Sequence, residues 1–263
     1  MNQTDIIMSV DDPIAAWERV RHEFRDYIPV RRAMKISSHR SGINDSPNRI
    51  YLPLRERQSI PSTSRCPSVV VRKLDTLVAA LDESNASNAS NPLVLIFADA
   101  YNPGGCVWAG AGMQEESLFR RTALFKHLTR DMYPLDLDDA IYAPEVMISD
   151  SAGGRNKFMS FVACAAPKMP SVGLDGRLLP EDEEIFARKI ELVLEIAMKH
   201  RHRTVVLGAW GCGAFGCPPR HVAEIFCRAI QRLPDDAFDR IVFAVPGGHY
   251  NFFEDAFVYM VKE

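Results

Sequence analysis

The sequence predicts an α/β fold, with a mixed, mostly parallel sheet between two helix layers, and two observations carry that reading. Continuous apolar runs of strand length recur at residues 92–98, 204–207 and 241–245, without the polar alternation of a sheet wetted on one face. Each run leads into a turn rich in glycine or proline and then into a stretch with helical apolar spacing, the alternation expected of parallel strands joined by crossover helices.

In chain order, residues 13–28 read as a helix with Ile14, Trp17, Val20, Phe24 and Ile28 on one face. Residues 31–65 are basic, with scattered Ser, Pro and Asn and one short apolar patch at 50–54; they read as a mobile arm or a loop-rich wrap. Residues 69–80 are short and apolar, and the polar stretch 83–91, with two N-x-S sequons at Asn85 and Asn88, reads as a surface loop. After the strand at 92–98, residues 114–128 carry Leu118, Phe125 and Leu128 at helical spacing. Their acids come early and their cations late, which suits the helix dipole. A strand at 158–163 and a long helix at 180–200 follow, the helix with Phe186, Ile190, Val193, Leu194 and Ala197 as its apolar stripe. The helix at 219–233 starts with Pro218 and Pro219 and presents Val222, Phe226, Ala229, Ile230 and Leu233. A short aromatic-rich helix at 250–260 closes the chain. Residues 1–67 are thus expected as an N-terminal helical extension and 68–263 as the main domain.

The chemistry concentrates in two glycine-rich loops. Residues 102–116 read NPGGCVWAGAGMQEE and join a strand's carboxyl end to two adjacent glutamates, Glu115 and Glu116. Ligands of open α/β sheets bind at that end, where bare N–H groups can approach an anion, so an acid can stand beside a bound phosphate. The second loop follows the strand at 204–207, and its Gly208, Gly211, Gly213 and Gly216 permit close approach or φ > 0. Neither is a P-loop, and neither is a GxGxxG fingerprint with a ribose-binding acid downstream, which disfavours ATP hydrolysis and hydride transfer. Trp210 and Phe215 are candidates to line a ligand, although aromatics beside glycines also pack on bare backbone.

Composition sets the limits. At 263 residues and 47% hydrophobic content the chain can bury a sizeable core, and a net charge of −3 offers no global attraction to nucleic acid. Six cysteines form neither a disulfide framework nor a zinc spacing, so no metal is expected. With no signal peptide and no apolar run of membrane length, an intracellular, cytoplasmic protein without membrane association is expected.

These motifs resemble the microbial-type poly(ADP-ribose) glycohydrolases, whose catalytic domain is a macrodomain. The resemblance lies in residues 98–105 with Gln114, Glu115 and Glu116, in 141–146, in 164–167, in the loop 207–216, and in 242–245 with Asn251 and Phe252. It implies a three-layer α/β/α macrodomain-like fold and hydrolysis of a ribose–ribose O-glycosidic bond in poly(ADP-ribose), mainly from chain ends, with ADP-ribose as product and no cofactor. By the resemblance Glu116 is the general acid and then the base, Glu115 holds ribose hydroxyls, and Asn102 positions the distal ribose. Gly104, Gly105, Gln114 and the loop Gly208, Gly211, Cys212, Gly213, Ala214 and Phe215 would surround the ligand, with the diphosphate on backbone N–H groups. Asn251 and Phe252 would lie on the adenosine side. Adjacent residues do not face the same way, so the two glutamates cannot flank one bond as separated glycosidase carboxylates do.

Cys106 departs from the pattern, standing where the family has a third glycine; its Cβ and sulfur could crowd the ligand. Two further readings stay open on the sequence: removal of single ADP-ribose groups from protein or nucleic acid, and a non-catalytic ADP-ribose reader.

Overall fold

The computed structural model describes residues 12–37, 49–51, 67–86, 91–154 and 157–258. Its strands are β1 Met34–Ser37, β2 Arg49–Tyr51, β3 Ser68–Arg72, β4 Leu93–Phe97, β5 Asp139–Met147, β6 Phe158–Cys164, β7 Thr204–Gly208 and β8 Arg240–Ala244. Its helices are α1 Pro13–Glu23, α2 Thr76–Asn85, α3 Gln114–Phe119, α4 Leu124–His127, α5 Pro180–Lys199, α6 Pro219–Gln231 and α7 Tyr250–Val258. The strands form one sheet in the order β2-β1-β5-β6-β4-β7-β8-β3. Strand β5 runs antiparallel to β1 and β6, and the other pairings are parallel.

Helices cover both faces. Strand β4 shows why its apolar run is unbroken: Leu93 and Leu95 enter the cluster with Phe186 of α5, Phe226 of α6 and Phe253 of α7. Val94 and Ile96 enter the opposite cluster, with Val20 of α1, Leu77 of α2, Leu118 of α3 and Leu124 of α4. All four β4 residues are fully buried, each worth about 1.5–3 kcal/mol of transfer free energy. This is the expected three-layer α/β/α arrangement.

Four expectations are corrected, and one strand, β5, went unread. Helix α1 stops at Glu23 with Phe24 as its C-cap, so Ile28 lies beyond it and is exposed, and Ile14 in its first turn is exposed as well. The segment expected as a loop-rich wrap supplies β1 and β2 to the sheet, β1 held by the buried Ile36 and by Lys35 paired with Asp139 at 2.9 Å; residues 52–54 of its apolar patch lie outside the described residues. The helix expected at 114–128 is two short helices. Between them Thr122 bridges Ile148, Ala123 N–H donates to the Met147 carbonyl and Ser149 N–H to the Arg121 carbonyl, so the backbone pairs sideways with the end of β5. Strand β5 was legible only as a motif because Pro144 interrupts it. Proline cannot donate to a ladder, and the register shifts between Ala143 and Val146, with Glu145 at φ 50°. The expected surface loop at 83–91 begins inside α2, where Glu83 is buried against Arg72 at 3.2 Å and Arg240 at 2.8 Å; Asn88 lies outside the described residues.

Candidate active site

Parallel strands β4, β7, β8 and β3 place their carboxyl ends along one edge of the sheet, and a cleft of about 550 Å³ opens there. That is a volume suited to a nucleotide-sized ligand. Its wall draws on all four strand ends: Phe97 after β4, Ala209–Gly211 and Gly213–Phe215 after β7, Ala244–Gly247 and His249 after β8, and Asp75 with Thr76 after β3. Gly112 and Met113 ahead of α3, Gln114, Ser117, Arg120 and Arg121 of the α3 region, and Pro13 of α1 complete it.

The first glycine loop folds back over the two glutamates. Asp99 starts it, its carboxylate accepting from the N–H groups of Tyr101 and Asn102, both at 2.8 Å. Gly104 N–H donates to Glu115 Oε1 at 2.9 Å, Asp99 N–H to Glu115 Oε2 at 2.7 Å, and Cys106 N–H to Glu116 Oε1 at 3.1 Å. Gly105 N–H goes to the Asn102 carbonyl at 3.0 Å. The N–H groups expected to cradle a diphosphate at Gly104 and Gly105 are therefore engaged within the loop and its acids. Gly105 is required sterically as well: its φ is +55°, and a Cβ there would lie 2.5 Å from Glu116 Oε1. Cys106, by contrast, has φ −107°, which any residue adopts, and its side chain is exposed, so the departure from a third glycine carries no backbone strain.

The two acids differ in what remains free. Both oxygens of Glu115 are capped by backbone N–H groups, and its residue is 3% exposed. Burial pushes its pKa up to about 8 against those two hydrogen bonds, with the charges of Glu116 and Asp99 adding to the rise. Glu116 is also buried, and its Oε2 has no hydrogen-bond partner among the described residues. Burial marks Glu115 as a carboxyl that keeps its proton near neutral pH, whereas the oxygen left without a partner belongs to Glu116. Both carboxylates lie behind the first loop rather than in the cleft wall, and Asn102, Gly104, Gly105 and Cys106 of that loop are not in the wall either. Geometry decides the roles, because a proton on Glu115 sits between two backbone donors.

The second loop is the open anion site. Gly211 holds φ +75°, with Cys217 Sγ and the Ala166 Cβ within 2.9 Å of where its own Cβ would stand. Among the described residues the N–H groups of Gly211, Gly213, Ala214 and Phe215 have no acceptor, so they can converge on a diphosphate. Cys212 and Gly208 do not reach the cleft wall; Cys212 Sγ is turned to the Trp210 carbonyl and Gly208 lies against the Ala244 carbonyl. Trp210 is fully buried and donates through Nε1 to the Cys164 carbonyl at 3.2 Å, a packing role with one side on the cleft. Burial pushes the Cys212 thiol up, and that of Cys217 up to about 12, which leaves both unreactive.

Other sequence candidates fall differently. Gln114 lines the cleft, but its amide accepts from Phe97 N–H at 2.9 Å and donates to the Leu95 carbonyl at 2.8 Å, which ties α3 to β4. Asn102 stands at the loop with its Oδ1 accepting from Arg130 at 2.8 Å. Asn251 and Phe252 are not in the cleft wall: Asn251 is exposed, and Phe252 packs against the core with the Arg220 guanidinium 5.6 Å from its ring. Pro246, Gly247 and His249, just ahead of that pair in the chain, line the cleft instead. They and Asp75 escaped sequence reasoning, although the rule that ligands bind at strand carboxyl ends applies equally to β8 and β3. Tyr133 escaped it too. Its hydroxyl is buried without a partner among the described residues, and burial, with the charges of Glu115 and Asp99, holds its pKa well above the ordinary value. The cations of the site, Arg120 and Arg121, come from the end of α3 rather than from either loop. Arg120 donates to the Pro13, Val107 and Ala111 carbonyls, and Arg121 pairs with Asp75 at 2.6 Å. The described residues hold no cluster of three His, Cys, Asp or Glu side chains able to bind a metal, and no helix long and apolar enough to cross a membrane.

A three-layer sheet with a glycine-loop cleft and an embedded pair of acids defines a ligand-binding α/β domain of the macrodomain kind. The chain belongs to the microbial-type poly(ADP-ribose) glycohydrolase family. The model of the microbial-type PARG catalytic domain matches residues 27–150. The poly(ADP-ribose) glycohydrolase of Thermomonospora curvata bound to the inhibitor ADP-HPD is 31% identical, with a TM-score of 0.61 over 73% of this chain and 78% of that one. Another crystal structure of that enzyme aligns at 29% identity and a TM-score of 0.64, over 75% and 79% of the two chains. The Deinococcus radiodurans enzyme in complex with ADP-ribose aligns at 26% identity and a TM-score of 0.62, over 74% and 85%. Comparison with curated protein sequences gives no match.

Proposed function

We propose that this chain is a poly(ADP-ribose) glycohydrolase that releases ADP-ribose, mainly from chain ends, with Glu116 as general acid and base. The observation that carries the reading is Glu116 Oε2, the one carboxylate oxygen of the pair without a partner among the described residues, buried beside a loop that clamps the other three. Family membership supports the substrate.

The ADP-ribose moiety takes the cleft, with its diphosphate on the free N–H groups of the second loop and its distal ribose at the first. Glu116 Oε2 gives its proton to the bridging oxygen as the bond from that oxygen to the anomeric carbon breaks. The cationic sugar that forms is stabilised by the diphosphate of the same unit, which supplies what a second flanking carboxylate supplies in ordinary glycosidases. Glu116 then takes a proton from the water that attacks the anomeric carbon. Glu115, neutral and pinned, holds ribose hydroxyls and fixes the loop, while Asn102 orients the distal ribose.

The test is incubation of wild type and Glu116→Gln with poly(ADP-ribose), read by chromatography, with ADP-ribose affinity measured by calorimetry. Wild type should release ADP-ribose, and the variant should bind it with turnover reduced by about 10³-fold or more. Binding without release by the wild type would make the chain a reader and sink the proposal.

A further inference from the structure

The cleft and the two glutamates account for one ADP-ribose unit, but cleavage of a polymer also has to accommodate the unit that leaves. In poly(ADP-ribose) the oxygen released belongs to an adenosine ribose, so an adenine departs beside the acid.

Two large aromatic side chains stand exposed on the loop that clamps those acids. Trp108 lies two residues after Cys106, whose N–H holds Glu116, and is 69% exposed; Tyr101 lies just before Asn102 and is equally exposed. Neither is in the cleft wall, and neither ring meets another ring or a cation among the described residues. The other two tryptophans behave differently: Trp17 packs on Phe119 and Phe125, and Trp210 is fully buried. Single exposed aromatics are ordinary, but these two bracket the segment that carries the catalytic contacts. A cation joins them, because exposed Arg130 is held at the same loop by its bond to Asn102 Oδ1. Aromatic faces with an adjacent guanidinium are what a base and its phosphates require, and base–aromatic stacking tolerates a surface setting.

We infer that Trp108 and Tyr101, with Arg130, form the subsite for the adenosine diphosphate of the leaving unit, Trp108 stacking on its adenine. This rests on the glycohydrolase reading above. The subsite gives the enzyme a preference for a polymer linkage over an isolated ADP-ribose adduct, because only the polymer presents an adenine on the leaving side.

The experiment compares wild type, Trp108→Ala and Trp108→Phe on poly(ADP-ribose) and on ADP-ribose bearing a small phenol in place of the leaving adenosine. Trp108→Ala should lower the ratio of kcat/KM on polymer to kcat/KM on the phenol by about tenfold, and Trp108→Phe should restore most of it. In the Glu116→Gln background, polymer should quench the Trp108 fluorescence more than ADP-ribose alone does. A ratio unchanged by Trp108→Ala overturns the subsite and leaves the hydrolase reading standing. Failure of the wild type to release ADP-ribose from polymer overturns both.

Discussion

Replacing Gly105 with alanine tests the geometry of the first loop most directly. The new Cβ would sit 2.5 Å from Glu116 Oε1 and 3.2 Å from Glu115 Oε2, where approaches under 3.0 Å force something to move. The backbone cannot relieve this cheaply, since φ +55° already costs an L-residue about 1–2 kcal/mol. If the carboxylate yields instead, its bond from Cys106 N–H stretches and a further 1.5 kcal/mol or so is lost. We predict destabilisation of about 3 kcal/mol, which is roughly 6–12 °C in Tm at 2–4 °C per kcal/mol. Moving the acid by up to about 1 Å should lower kcat by about 100-fold. Calorimetric affinity for ADP-ribose should change far less, because the free N–H groups that take the diphosphate belong to the second loop. Cys106→Gly is the contrast: with φ −107° and an exposed side chain, it should cost only about 0.4–1 kcal/mol of backbone entropy. A folded Gly105→Ala protein turning over within threefold of wild type would refute the claim that this loop sets the position of Glu116.

Four further outcomes are expected. Glu115 keeps in the native state a proton that the unfolded chain loses above pH 4.5, so stability should fall as pH rises from there to about 8 and then level off. The full loss is on the order of 5 kcal/mol, and Tm against pH for Glu115→Gln should show a clearly shallower slope; identical slopes would contradict the assignment. Arg120→Met strips the shared donor from the Pro13, Val107 and Ala111 carbonyls, which should cost about 3 kcal/mol and speed hydrogen exchange in α1 more than in α5. Tyr133→Phe removes a buried hydroxyl without a partner: Tm should hold or rise, while kcat/KM falls about tenfold if that hydroxyl meets a ribose, and unchanged kinetics would leave it a packing residue only. Turnover should survive EDTA, and its complete loss would count against a mechanism carried by Glu116 alone.

Much of the frame was legible because buried parallel strands announce themselves: Leu93–Phe97 of β4, residues 205–207 of β7 and 241–244 of β8 are unbroken apolar runs. Both glycine loops and the acid pair were legible for the same reason, since glycine and adjacent glutamates are unusual after such strands. Strands β1 and β2 were not, because three or four residues at a sheet margin give no period, and β5 was hidden by Pro144. Helix α3 was overextended because sequence spacing cannot foresee that the backbone at 121–123 pairs with β5. Within the site, residue types were read well and their partners poorly. Gln114 looked like a ligand group and turns out to hold α3 against β4, and the first-loop N–H groups looked free and are engaged. Hydrogen-bond partners distant in sequence leave no local trace.

That engagement gives the first loop an unusual character as an anion receptor: its occupant is already covalently part of the chain. A turn that would otherwise bind phosphate is filled by the protein's own carboxyl groups, so soluble phosphate or sulfate should compete with substrate only at the second loop. The glycines and the acids behave as one prefabricated part. Altering either half leaves the other with charge or hydrogen-bonding capacity that nothing nearby can absorb.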